Sequence, residues 1–316
     1  MSGDGQHREH TVGLVANPMS SKDIRRLTGL ARVIDVEEKA NLVARLLVGI
    51  GSVSGVRVTA LDDTAGLVRR AVSMAGRSAA PVDYLPIEAE GSEADTREAA
   101  AALARLGAAC LVTVGGDGTV RAAAEGWPDG RIVPLAAGTN NAFAFTEEPT
   151  VVGLATAMAV SAPADAFAPT TAIRVGTRSG ISLAVIDAVV VRDRWVGAGA
   201  IWDPARLVEG YVTSARRTAV GIASVSASFG ELAAGHARRL RFGGAATVRA
   251  VFGPGLVLDV PVADHEDLPL GSVRKLDDGA GLVALDGERR LPATDATVEV
   301  VAGPQILVLD AAVRAI

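Results

Sequence analysis

Between residues 11 and 135 short apolar runs alternate with longer stretches of helical periodicity, and this alternation restricts the fold more than any other feature. Residues 11–16 (TVGLVA) read as a buried strand that Asn17-Pro18 stops. Residues 37–48 then place Ala40, Val43, Ala44 and Leu47 on one helical face. Residues 56–61 and 82–87 repeat the strand pattern, and residues 64–74 and 93–106 repeat the helical one. Residues 110–114 and 131–135 supply a fourth and a fifth strand. Asp62-Asp63 reads as the cap of the helix that follows it. Parallel strands need long crossovers, usually helices, so this order predicts a parallel sheet covered on both faces.

After about residue 165 the long helices stop. Residues 182–191, 247–252, 255–260, 282–285, 297–301 and 305–309 are short, rich in β-branched residues and separated by Gly, Pro or Asp. Such a series predicts an antiparallel, all-β second half, interrupted by one helical candidate at residues 204–215. The expected organisation is an α/β domain over residues 1–165 and a β-rich domain over residues 166–316, with the last strands returning to the first domain. A length of 316 residues suits two domains.

Charge and cysteine usage narrow the class of function. A formal net charge of −5 argues against nucleic acid or an anionic membrane surface as partner. There is no run of 18 apolar residues, and the polar start from Met1 to His10 lacks the apolar core of a signal peptide. The single cysteine, Cys110, lies inside an apolar run and reads as a core residue, which fits a cytoplasmic protein. His7, His10, His236 and His265 show no zinc-site spacing, so any metal is expected as Mg²⁺ arriving with a nucleotide.

The chemistry-bearing residues gather at the carboxyl ends of the predicted parallel strands, where open α/β sheets bind ligands. Gly115-Gly116-Asp117-Gly118-Thr119 follows the fourth strand and leads into a helical stretch at residues 120–125. Glycine lets backbone amides approach a phosphate, and a following helix adds its positive end. A carboxylate among anion-binding amides has a use if it orients a metal or takes a proton from an attacking hydroxyl. The plainer alternative is that Asp117 caps the helix. Gly138-Thr139-Asn140-Asn141-Ala142-Phe143 follows the fifth strand, and its amide side chains suit ribose hydroxyls, or simply a tight turn. Lys22 and Arg25-Arg26 either meet phosphates or begin a solvated helix. Arg216-Arg217 and Arg238-Arg239 read as solvated faces, and Asp277-Asp278-Gly279 and Asp286-Gly287 as turns. Trp127, Trp195 and Trp202 are isolated and read as packing residues.

Residues 115–119 resemble the GGDGT motif shared by NAD kinases, by lipid kinases of the diacylglycerol and sphingosine type, and by their distant phosphofructokinase relatives. Three further segments narrow the resemblance: Val15-Ala16-Asn17-Pro18-Met19-Ser20-Ser21-Lys22-Asp23, then Gly138-Thr139-Asn140-Asn141, then Val191-Arg192-Asp193-Arg194 with Gly197 and Trp202. The chain is most similar to the ATP-NAD kinase-like family and, within it, to the acetoin catabolism protein X group. The resemblance implies an NAD kinase-like fold, with a Rossmann-like α/β domain followed by an all-β domain, and assembly as a homo-oligomer. It implies ATP-dependent, Mg²⁺-assisted phosphorylation of NAD at the 2′-hydroxyl of its adenosine ribose, or of a related ribose-bearing metabolite. Asp117 then takes the catalytic role. Asn17, Gly115, Gly116, Gly118 and Thr119 hold the nucleotide, and Asn140, Asn141 and Asp187 orient the acceptor. Two positions depart from the kinase pattern: the residue before Asp187 is Ile186 rather than an amide, and the family's Gly-Ser-Thr loop falls on residues 221–226, with Ser224 its candidate. Lipid kinases share Asn17-Pro18 and Asp286-Gly287-Glu288, but usually carry acids where this chain has Ala122 and Ala142. A nucleotide-binding regulator with little turnover, and a diacylglycerol-type lipid kinase, are the alternative readings.

Overall fold

In the computed structural model the residues described are 9–20, 30, 34–138, 141–161, 166–193, 201, 203–276 and 281–313. The first half follows the predicted alternation: β1 (His10–Ala16), α1 (Val36–Gly51), β2 (Val56–Ala60), α2 (Leu67–Ala75), β3 (Val82–Tyr84), α3 (Glu93–Arg105), β4 (Cys110–Gly115), α4 (Asp117–Gly126) and β5 (Arg131–Ala136). These strands form a parallel sheet in the order β3-β2-β1-β4-β5. Every side chain of β4 is buried, which explains why it reads as a continuous apolar run rather than an alternating one. Asp63 fulfils its predicted capping role, accepting from the amides of Leu67 and Val68 at 3.0 Å each. β3 is shorter than residues 82–87 suggest.

A further helix, α5 (Pro149–Ser161), was not expected from the sequence. It is apolar on nearly all sides, so it lacks the one-sided pattern by which a surface helix is recognised. It packs on α1 through glycine: a Cβ added at Gly49 would lie 2.2 Å from the Thr150 carbonyl oxygen, and one at Gly153 would lie 2.2 Å from that of Leu46. Helices α1, α2 and α5 share one apolar core with the sheet, and α3 and α4 contribute to another. The sheet is therefore covered on both faces.

The second half contains β6 (Phe167–Thr177), β7 (Gly180–Ala184), β8 (Asp187–Val191), β9 (Leu207–Val212), a short helix α6 (Ile222–Ala227), β10 (His236–Gly253) and β11 (Leu256–Pro269). It ends with β12 (Val273–Lys275), β13 (Leu282–Leu285), β14 (Arg289–Pro292), β15 (Thr297–Leu307) and a last short helix α7 (Leu309–Val313). Six of these strands form an antiparallel sheet, β11-β10-β9-β8-β13-β14. The others extend the first sheet: β15 runs parallel to β5, with β6 antiparallel to β15 and β7 antiparallel to β6. Among the described residues no helix is long and apolar enough to cross a membrane.

Two expectations for this half are corrected. The run at residues 182–191 is two strands, not one, because β7 ends the first sheet while β8 enters the second. The break falls at Val185 and Ile186, whose amides donate to the Asp286 carboxylate instead of a strand partner. Residues 204–215 are not helical. Pro204–Arg206 forms one 3-10 turn capped by Asp203, after which β9 pairs with both β8 and β10. Pairing on both edges outweighs the local helical pattern there.

Candidate functional site

The Gly-rich segment leaves β4 at Gly115, and Asp117 is the first residue of α4. The turn is tight by construction. Gly138, after β5, packs backbone against backbone with it: a Cβ on Gly138 would lie 2.6 Å from the Gly116 Cα. At Gly118 a Cβ would lie 2.7 Å from an Oε2 of Glu288, so glycine there admits a carboxylate that any side chain would displace. Asn17, just beyond β1, donates from Nδ2 to Thr119 Oγ1 at 3.0 Å. Ser20 donates to the carbonyls of Asn17 and Ala137 at 3.0 and 2.9 Å. Lys39, buried on α1, donates to the Pro18 and Ser20 carbonyls at 2.9 and 2.5 Å. The loops after β1, β4 and β5 are thus joined into one edge. The first turn of α4 brings the positive end of its dipole to this edge, while its Thr119 and Val120 amides donate to the Gly116 carbonyl at 2.9 and 3.3 Å. Beside it, a hollow at the ends of β1 and β2 is lined by Asn17, Pro18, Leu61, Gly91 and Asp95.

Asp117 faces the other way, into a cleft between this edge and the second sheet. Three carboxylates line the cleft: Asp117, Asp187 at the start of β8, and Asp286 in the β13–β14 turn. Its apolar wall comes from Ile186, Ile201, Val220, Ile222 and Phe252. The Asp117 carboxylate accepts from the amides of Ala142 and Phe143 at 2.9 and 3.0 Å, which fixes its orientation. Burial pushes its pKa up to about 7 against the pull of the Ala142 amide, and the negative charges of Asp286 and Glu288 add to the rise. A carboxyl that changes protonation near neutrality, held rigidly and facing a cleft, has the properties of a general base. Capping alone would not require the cleft.

The structure brings some predicted site residues together and leaves others apart. Asn17, Gly115, Gly116, Gly118 and Thr119 lie together on the edge formed by the loops after β1, β4 and β5, and Asp187 shares the cleft with Asp117. Asn141 folds back on its own turn, donating to the Gly138 carbonyl at 3.0 Å and accepting from the Gly138 amide at 3.2 Å. Asn140, Lys22, Arg25, Arg26, Trp195, Trp202 and the Asp277-Asp278-Gly279 turn lie outside the described residues. Ser224 accepts from the Val251 amide at 3.0 Å within the second half. Arg238 is not on a solvated face: it is buried, paired with Asp267 at 2.6 and 2.8 Å, and donates to the Ser226 and Gly230 carbonyls. Its role is structural. Cys110 is fully buried, and burial pushes its thiol up to about 12, which removes it from thiol chemistry. Asp286 was read as turn chemistry only. It does occupy a turn, at φ +48°, but its carboxylate reaches the cleft, and no local sequence signal distinguishes the two.

Among the described residues no three acidic, histidine or cysteine side chains converge as a metal site. Asp117 uses both oxygens on amides and Asp286 accepts from three. A divalent cation at the cleft would thus find few carboxylate lone pairs left open on these two residues.

Family comparisons match two segments of the chain. Residues 12–159 match the ATP-NAD kinase N-terminal domain, and residues 170–304 match the acetoin catabolism protein X C-terminal domain. The chain is 34% identical over 305 residues to acetoin catabolism protein X of Cupriavidus necator, covering 89% of this chain and 84% of that protein. Among solved structures it is similar to a candidate diacylglycerol kinase of Bacillus anthracis str. Sterne, at 11% identity and a TM-score of 0.47, over 96% of this chain and 99% of the other. A diacylglycerol kinase structure from the same organism matches at 11% identity and a TM-score of 0.41, over 95% and 96% of the two chains.

Proposed function

The chain belongs to the family of acetoin catabolism protein X, and from that premise we propose that it is a phosphotransferase acting on a hydroxyl of NAD or of a related ribose-bearing metabolite, with Asp117 as proton acceptor. One observation carries this reading: the Asp117 carboxyl is locked by two amides, faces a cleft and has its pKa raised to about 7. In that range it is available as a base at neutral pH while still able to hold the proton it receives. ATP, with Mg²⁺, supplies the phosphoryl group and neutralises its charge when bound. The amides of residues 115–119 and the start of α4 hold the phosphates. Asp187 and the apolar wall orient the acceptor. As the acceptor oxygen bonds to phosphorus, its proton passes to Asp117 and the bond to the departing nucleotide breaks. Positioning and fixed charge provide most of the acceleration.

The test is formation of NADP from ATP, Mg²⁺ and NAD, followed by a panel of other ribose-bearing acceptors. Asp117→Asn should lower kcat by roughly 10²–10⁴-fold, the usual contribution of a general base, and leave nucleotide affinity near that of wild type. Wild-type protein that binds nucleotide yet turns over none of these acceptors would instead be a nucleotide-binding regulator. Transfer to diacylglycerol in place of these acceptors would make it a lipid kinase.

A further inference from the structure

Asp286 has no role in the scheme above, although its side chain is fully buried beside the cleft. It accepts from the amides of Val185, Ile186 and Asp187 at 3.0, 2.8 and 3.2 Å, at the point where the chain passes from the first sheet to the second. Its own amide donates to the Asp187 carbonyl at 2.8 Å, so turn and crossover are tied in both directions. Below it lies Arg121, one helical turn after Asp117 on α4 and almost completely buried. The Arg121 guanidinium donates to the Leu285 carbonyl at 3.2 Å, pairs with Glu93 at 3.1 Å and lies 3.8 Å from Asp286.

We infer that Asp286, clamped by Arg121, is a positioning residue that ties the cleft-lining segment 185–187 to the helix carrying Asp117 and sets the charge against which Asp117 works. The inference rests on the reading of Asp117 as the base. A buried arginine without its carboxylates would be costly, so the pair holds α4 and the β13–β14 turn in one arrangement. The same pair divides the work between two neighbouring acids. Arg121 opposes the rise that burial imposes on Asp286, whose pKa reaches about 6. The Asp286 charge in turn helps to raise Asp117. The other charged groups are accounted for: Glu288 faces Asp117 from the same turn, Asp187 lies across the cleft, Glu93 pairs with Arg121 from α3, and Arg216 donates to the Ala142 carbonyl.

Carboxyl ¹³C NMR titration of the full chain tests this without needing turnover, with Asp117→Asn identifying the Asp117 signal. In Asp286→Asn the Asp117 midpoint should fall by about one pH unit, the low end for loss of a close like charge. In Arg121→Gln the Asp286 midpoint, identified by its loss in Asp286→Asn, should rise because the positive charge that opposes its burial is lost, and Arg121→Lys should return it toward wild type. General loosening of the fold, which would hydrate both acids, would not raise the Asp286 midpoint. Should Asp286→Asn fail to fold, Glu288→Gln gives a smaller shift of the same sign, and the two Arg121 variants decide the rest. Amide exchange at Ile186 should accelerate in Asp286→Ala and much less in Asp286→Asn. An Asp117 midpoint that stays put in Asp286→Asn, or an Asp286 midpoint that does not rise in Arg121→Gln, overturns the inference. Absence of turnover with normal titration shifts would overturn the proposed reaction instead.

Discussion

The two sides of the cleft are built by different means. On the α/β side the surface is backbone: Gly138 brings main chain against Gly116 where a Cβ would not fit, and Gly118 leaves room for the Glu288 carboxylate. On the β side the surface is side chain, with Ile186, Val220, Ile222 and Phe252 packed around Asp187 and Asp286. A surface of amides recognises a phosphate whatever molecule bears it, whereas a wall of side chains discriminates by shape. On the proposed function, anion holding falls to the first edge and choice of acceptor to the second.

The largest effect expected concerns Asp117, where the two sides meet. Its pKa is about 7 in the fold, above the unfolded value of about 4. The folded state therefore holds this proton more tightly. The associated stability is fully present below about pH 4 and is lost as pH rises through about 7. Asp117→Asn has no such titration, so its stability relative to wild type should improve by roughly 3–4 kcal/mol between pH 4 and pH 8. Urea midpoints of both proteins at the two pH values measure this. A pH-independent offset would mean that the cleft is wetter than its apolar wall implies.

Gly138→Ala tests the backbone-built side. The obstructing atom is the Gly116 Cα, which cannot rotate away as a side-chain tip would. Overpacking of this kind costs about 1–3 kcal/mol. Because the displaced element is the phosphate-facing turn, nucleotide affinity should weaken along with the urea midpoint. Asn17→Ala touches the same edge more gently. It removes the bond to Thr119 and the Asx bond to the Met19 amide, worth about 1 kcal/mol each at most. Nucleotide KM should rise modestly, with acceptor KM unchanged.

Legibility in the sequence followed the same division. The α/β side could be read because its elements are local: β4, the glycines and α4 are consecutive, and periodicity marks each one. Asp117 was identified for that reason. The β side draws on residues 186, 201, 220–222, 252 and 286, which are distant in the chain and indistinguishable from ordinary core or turn residues. Asp286-Gly287 has the composition of a turn, and only the folding of residues 185–187 over it reveals a buried carboxylate. Helix α5 was missed because burial on several sides erases amphipathic periodicity. β9 was misread because its pairing with β8 and β10 is not encoded locally.

The smallest predicted effect discriminates best between the two sides. Ile186 is buried, with its backbone held by Asp286 and its side chain on the cleft wall. Ile186→Val removes one methyl group and leaves the backbone bonds intact, at a cost of about 0.5–1.5 kcal/mol in stability. Its kinetic effect should fall on the acceptor alone: KM for the acceptor changes a few-fold, while nucleotide affinity stays constant. Gly138→Ala should give the reverse pattern. If Ile186→Val instead weakens nucleotide binding, the β wall contacts the phosphate donor, and the assignment of one ligand to each side is wrong. If neither parameter moves, the acceptor does not reach Ile186, and the isoleucine found where NAD kinases carry an amide would not bear on which acceptor is used.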